Sequence, residues 1–255
     1  MKPLNKRDSE TLVEYTLNLG RQMMECGAEA WRAENTMARI FRAYEMEVLD
    51  AHAMPTQVAA TVKGKDGAHY PSTCMVLPEK TGMNLRRLEQ INTAARMICF
   101  DPPPVDQLPT IVDNSPHWVP SELLGYILGI GAFAVFFGGN LLDGILSALI
   151  GCGIYCLDHL RMRNLQNRTI YIMIACFASG LLARLCAGIF PVCNLDMIVI
   201  GDIMIFIPGL SLVNGVRELF YSDILTGIYR MVEAVLGAGA IAIGYAVALM
   251  IGGGL

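Results

Sequence analysis

The chain has 255 residues, of which 54% are apolar and 16% charged, against about a quarter charged in ordinary soluble domains. A net charge of -4 and a sequence pI near 5.6 provide no basic field for a phosphate backbone, so no nucleic-acid partner is expected. The charge is also uneven: 13 of the 19 Lys and Arg and 15 of the 23 Asp and Glu precede Ser121, which points to lipid around the last 135 residues.

Met1 to Glu14 is polar and lacks the apolar core of a signal peptide, so the first domain is expected to stay in the cytosol. From Ser9 to Cys26, Leu12, Val13, Leu17, Leu19, Met23 and Met24 recur near helical spacing, and Gly27 follows as an end signal. A second helix is predicted from Ala28 through Trp31, Met37, Ile40, Phe41 and Tyr44, with Glu29, Arg32 and Glu34 on its polar face. Val48 to Ala53 and Thr56 to Val62 read as strands, and Lys65-Asp66-Gly67 is a turn before a third extended stretch near Tyr70. Asn84 to Phe100 returns to helical periodicity. The expected first domain, residues 1–101, is therefore a small cytosolic α+β unit.

Pro102, Pro103, Pro104, Pro109, Pro116 and Pro120 mark residues 102–120 as a stiff, non-helical linker. Beyond it the chain reads as an α-helical membrane domain with about five transmembrane helices, near 121–138, 141–158, 169–190, 195–214 and 227–251. Gly138-Gly139-Asn140 suits a tight hairpin between the first two. Arg161, Arg163 and Arg168 place the loop between the second and third spans on the cytosolic side, which puts the Gly252-Gly253-Gly254 tail outside. Small residues recur at helical spacing, as at Gly125 and Gly129, Gly144 and Gly151, and Gly237 and Gly244, a pattern that lets membrane helices approach closely.

Charges inside apolar spans cost roughly 2.5–3.5 kcal/mol each on insertion scales, so Arg184, Asp202, Arg230 and Glu233 carry the most information. Arg184 precedes Cys193 by nine residues and Asp202 follows it by nine, so an antiparallel hairpin would bring them to similar depth to pair or to share a water-filled cavity. Asp202 is then the candidate for proton exchange. Pro208-Gly209 should kink or break the fourth span, a recurrent way of presenting backbone groups to a solute. Asn214 and Arg217 share a face and are followed by Glu218, Asp223, Gly227, Arg230 and Glu233, a polar patch suited to an amino acid or a carboxylic acid. An anchor for a cytosolic turn would look the same. Eight cysteines show no paired spacing, and no metal or cofactor site is expected; they read as reduced, mostly buried thiols.

The stretch Gly201-Asp202-Ile203-Met204-Ile205-Phe206-Ile207-Pro208-Gly209-Leu210, running on through Asn214, Arg217, Asp223, Gly227 and Arg230, resembles the signature of the threonine/serine exporter family. Gly27-Ala28-Glu29-Ala30-Trp31-Arg32-Ala33-Glu34-Asn35-Thr36 resembles that family's other block, at the start of its N-terminal domain. The resemblance implies export of small hydrophilic metabolites, threonine and serine or a dicarboxylate such as succinate, driven by the proton gradient across the cell inner membrane. It also implies a split, YjjP-like half that works with a second, smaller YjjB-like membrane subunit in an oligomer.

Two other classes remain as alternatives. A membrane-anchored hydrolase would need a catalytic constellation, yet GxSxG, HExxH and GxxxxGK[ST] are all absent and His52, His69, His117 and His159 are not clustered, so no enzyme is expected. A regulatory or scaffold subunit would tolerate loss of Asp202 and Arg217.

Overall fold

The computed structural model describes residues 4–77, 82–111, 119–164 and 167–252. They divide into two compact units, one drawn from Met1–Ser115 with Val213–Arg230 and the other from Pro116–Leu212 with Met231–Leu255.

The first unit opens with α1 (Lys6–Glu25) and α2 (Ala30–Ala43). Asn5 caps α1 by accepting from the Asp8 N–H, and Leu12, Val13, Leu17, Leu19, Met23 and Met24 form its buried face. The helix stops at Gly27 for a conformational reason. At φ +85° Gly27 turns the chain so that its own N–H reaches Met24 O and the Ala28 N–H reaches Met23 O, the paired bonds of a Schellman end.

The strands are β1 (Glu47–Ala53), β2 (Gln57–Lys63) and β3 (His69–Met75), an antiparallel meander with β2 central and a register irregularity between Val48 and Asp50. Val58, Ala60 and Val62 alternate inward from β2 and join Leu12, Phe41 and Ile91 in one core. Full burial of such side chains contributes about 1.5–3 kcal/mol apiece. The last long helix of this part, α3 (Leu85–Phe100), is capped by Asn84 and contributes Leu88, Ile91, Ala95 and Ile98.

The expected linker is corrected over residues 102–111. Val105–Thr110 forms a 3-10 turn that tolerates Pro109 and buries Val105 and Leu108 in the core, and Tyr44 donates a 2.6 Å hydrogen bond to Pro103 O. Proline runs read as spacers only when nothing apolar between them has a core to enter. Pro116, Gly253 and Gly254 and the side chains of Arg161 and Arg163 lie outside the described residues.

In the second unit α4 (Val119–Phe136) and α5 (Leu141–Asn164) form the expected hairpin, closed by Gly138 at φ +109°. Then come α6 (Arg168–Ile189) and α7 (Leu195–Ile203), and the segment beyond residue 230 of α9 (Ile224–Gly252). Between α7 and α9 lies α8 (Gly209–Phe220). Among the described residues Leu141–His159, Arg168–Ile189 and Ile224–Ile251 are long and apolar enough to cross a membrane, and Glu122–Phe136 is a shorter apolar helix. Five continuous spans are therefore not found.

The fourth expected span is two helices of 9 and 12 residues with Met204–Pro208 non-helical between them. Neither reaches the roughly 17 residues a crossing needs. Helix α7 packs against α4, α5 and α6, and Gly201 makes this possible: a Cβ there would sit 2.8 Å from Ala134 Cβ and 3.0 Å from Ile130 O. Gly244 serves α6 and α9 in the same way, with Met173 O 2.6 Å from its would-be Cβ, whereas Gly125 and Gly129 face open space. The thiols are less buried than expected, with Cys26 and Cys176 buried, Cys156 exposed and the other five between.

Candidate functional site

The densest polar cluster of the first unit is assembled from residues almost 190 positions apart. Helix α2 begins after Glu29, whose own side chain makes no capping bond. Glu218 Oε1 fills that role, accepting from the Ala30 N–H at 3.0 Å, where the positive end of the helix dipole favours a carboxylate. Arg230 stands against the same carboxylate with Nε 3.0 Å from Glu218 Oε2, while its Nη2 donates to Ala28 O. The Nε contact is electrostatic only, because the N–H is not aligned on the oxygen for a hydrogen bond.

Glu29 completes the cluster. One of its oxygens takes the guanidinium of Arg217 and the other accepts from Trp31 Nε1 at 2.7 Å, and the Trp31 ring lies 5.5 Å from that of Tyr221. Two carboxylates thus meet two guanidiniums and the charges cancel. Burial pushes the Glu218 carboxyl above the usual carboxylate range, opposed by Arg230 and by the Ala30 N–H. Arg217 differs from the other charged members of the cluster: half of its side chain is exposed, against 6% for Glu29.

The second unit holds a contrasting acid. Asp202 is fully buried on α7 with the Ser147 hydroxyl close by, and among the described residues neither carboxylate oxygen has a hydrogen-bond partner in good geometry. Ser147 Oγ is committed to Ile198 O at 3.3 Å, one helical turn earlier, and Ser179 Oγ and Tyr245 Oη are 2.7 Å apart. Asp202 is within electrostatic reach of Cys176 and Tyr245. Helix α7 ends one residue later, at Ile203.

Of the expected site residues, Glu29, Arg217 and Arg230 come together with Ala28, and Asp223 caps α9 by accepting from the Thr226 N–H at 3.2 Å. Pro208 and Gly209 mark the end of the non-helical segment. Asn214 is half-buried and Glu233 exposed. Glu34 belongs elsewhere: it accepts from the Ala53 N–H at 3.0 Å and lies 3.0 Å from His52 Nδ1, tying α2 to β1. Arg32 lines a separate cleft.

The suggested pairing of Arg184 with Asp202 is not found. Arg184 is exposed on α6 while Asp202 is buried on α7, because equal depth along two helices does not fix the direction in which a side chain leaves each axis. A buried acid also escaped attention. Asp143, 1% exposed, accepts from the Asn140 N–H at 2.8 Å and the Asn194 N–H at 2.9 Å, so one carboxylate fixes two loops. Its signal was the Asn140–Asp143 spacing of a capping box.

A family model described as "Putative threonine/serine exporter" matches residues 14–252. The chain is 23% identical over 235 residues to "Pheromone-regulated membrane protein 10" of Eremothecium gossypii, a match covering 87% of this chain and 31% of that protein. It therefore spans about a third of that relative's length. No solved structure matches. The family match runs through both motif blocks, Gly27–Thr36 and Gly201–Arg230, and through the apolar helices of the second unit. The chain belongs to the threonine/serine exporter family, a family of membrane exporters.

Proposed function

We propose that this chain is one membrane half of a proton-coupled exporter of small hydrophilic metabolites, threonine and serine or a dicarboxylate such as succinate. In this reading it resides in the cell inner membrane with its N-terminal domain in the cytosol and works beside a second, smaller membrane subunit. Family membership supports the general activity, and the observation that carries the mechanism is the buried, hydrogen-bond-free carboxyl of Asp202 on a helix that breaks at Met204–Pro208.

An ionised carboxylate without a partner is costly in such surroundings. Proton uptake and release at Asp202 is the least costly way for it to alternate between a closed and an open surrounding, and the non-helical backbone beside it supplies polar groups for a passing solute. Arg217 has a second role. Exposed and already holding one oxygen of the Glu29 carboxylate, it can trade that carboxylate for one on the substrate, which its guanidinium can grip as a bidentate fork.

The test is efflux of labelled threonine, serine and succinate from cells expressing the chain with a candidate second subunit. Asp202→Asn should lower efflux at least tenfold, and Asp202→Glu should keep part of it with a shifted pH profile. Equal efflux from both variants and the parent at every pH removes Asp202 from the coupling. Unchanged efflux after Arg217→Gln as well favours a regulatory or scaffold subunit.

A further inference from the structure

The first unit contains a second polar site that the exporter mechanism does not use. On α2, Arg32, Asn35, Thr36 and Arg39 fall at i, i+3, i+4 and i+7, one face of the helix; on α3, Asn92, Ala95, Arg96 and Cys99 repeat the same spacing. The two faces line one cleft of about 150 Å³, with Trp31 at its end. No residue lining it is acidic, and among the described residues Arg32, Arg39 and Arg96 form no ion pair. The nearby Glu34 is occupied by Ala53 and His52, and Glu29 by Arg217 and Trp31.

Like charges are not gathered in one cleft without cost, and elsewhere in this unit Arg21, Arg217 and Arg230 each meet a carboxylate. Three uncompensated guanidiniums, with the amides of Asn35 and Asn92 and the hydroxyl of Thr36, make a donor-rich cleft with no acceptor of matching charge. We propose that this cleft binds a phosphate group. A tetrahedral phosphate offers oxygens toward donors on both helices, which a single planar carboxylate does not, and arginine forks fit it in pairs. The volume suits one phosphate and its near surroundings, as it falls well below the 300–1,000 Å³ typical of whole drug-sized ligands. The phosphate has two possible sources, a free phosphorylated metabolite or a lipid headgroup.

Trp31 supplies the readout, since the chain's only other tryptophan is Trp118. The full chain carrying Trp118→Phe, purified in detergent, is titrated with sodium phosphate and, at matched ionic strength, with sodium chloride. A saturable change in Trp31 fluorescence with phosphate alone is expected. It should require at least tenfold more phosphate after Arg39→Gln or Arg96→Gln, and be unaltered after Arg86→Gln, an exposed position on α3 outside the cleft. A parallel set in nanodiscs compares phosphatidylglycerol with phosphatidylcholine. A response to free phosphate assigns a soluble ligand, and a response to phosphatidylglycerol alone assigns a headgroup. No response in either medium, a response that chloride reproduces, or one that survives both cleft variants overturns the site; the titration of the parent chain suffices even where a variant does not fold.

Discussion

Glu218 and Asp202 are equally hidden, at 1% and 0% exposure, yet their partners differ. Glu218 has a guanidinium against it and a helix N-terminus to cap. Asp202 has neither, and the nearby Ser147 hydroxyl is turned to a backbone carbonyl. A charge with partners on both sides is held still by them. An acid with none is free to change its protonation without breaking contacts, which separates a joint from a coupling site within one chain.

The comparison makes opposite forecasts for removal of the two acids. Glu218→Ala strands Arg230 and leaves the first N–H of α2 unsatisfied, so it should destabilise the first unit by roughly 3–5 kcal/mol. Most of that loss should be recovered in the double variant Glu218→Met, Arg230→Met, because burying neither charge avoids the desolvation of both. Thermal midpoints of the purified chain, followed by tryptophan fluorescence, check this. If the double variant is no better than the single, the cluster is held by hydrogen-bond geometry and not by charge balance.

Asp202→Asn should do the reverse, leaving the thermal midpoint unchanged or raised while lowering efflux at least tenfold. No cation is stranded by it. A fall in stability comparable to that of Glu218→Ala would mean that Asp202 has a partner after all, and the contrast would dissolve. A smaller effect is expected from Gly201→Ala, whose added Cβ must push against Ala134 and Ile130 O. Overpacking of this kind costs about 1–3 kcal/mol, and alanine belongs at the low end. Its measured midpoint, set beside that of Gly129→Ala in open space, separates close helix approach from plain glycine content.

Local features were readable in the sequence because their causes are local. Gly27 ended α1, Lys65-Asp66-Gly67 turned β2 into β3, and Pro208-Gly209 marked the interruption between α7 and α8, each through backbone geometry that a few residues determine. Periodicity did not reveal that Glu29 meets Arg217 or that Glu218 caps α2, since a pairing across 188 residues leaves no mark on either segment. What the sequence did contain was both halves of the cluster, as the two blocks carrying the family resemblance. The pairing of Arg184 with Asp202 failed for a related reason: at 100° per residue, counting from a turn fixes height on a helix and says little about facing.

The smallest expected effect follows the sign of the Glu218 shift. Burial raises its folded value above the ordinary 4.5, with Asp223 and Glu29 pushing the same way and Arg230 pulling back. In that window the unfolded chain has released a proton that the folded chain still holds. Stability therefore falls as pH rises from 4.5 through the raised folded value, and the contribution is constant above it. Glu218→Gln cannot titrate, so the difference in thermal midpoint between parent and variant should slope through this window and level off at higher pH. Asp202→Asn, read over the same range by efflux, should remove a pH dependence of transport without the matching slope in stability. Identical slopes for parent and Glu218→Gln would place the titration elsewhere and leave Glu218 ionised throughout, bound to Arg230 more strongly than its burial opposes.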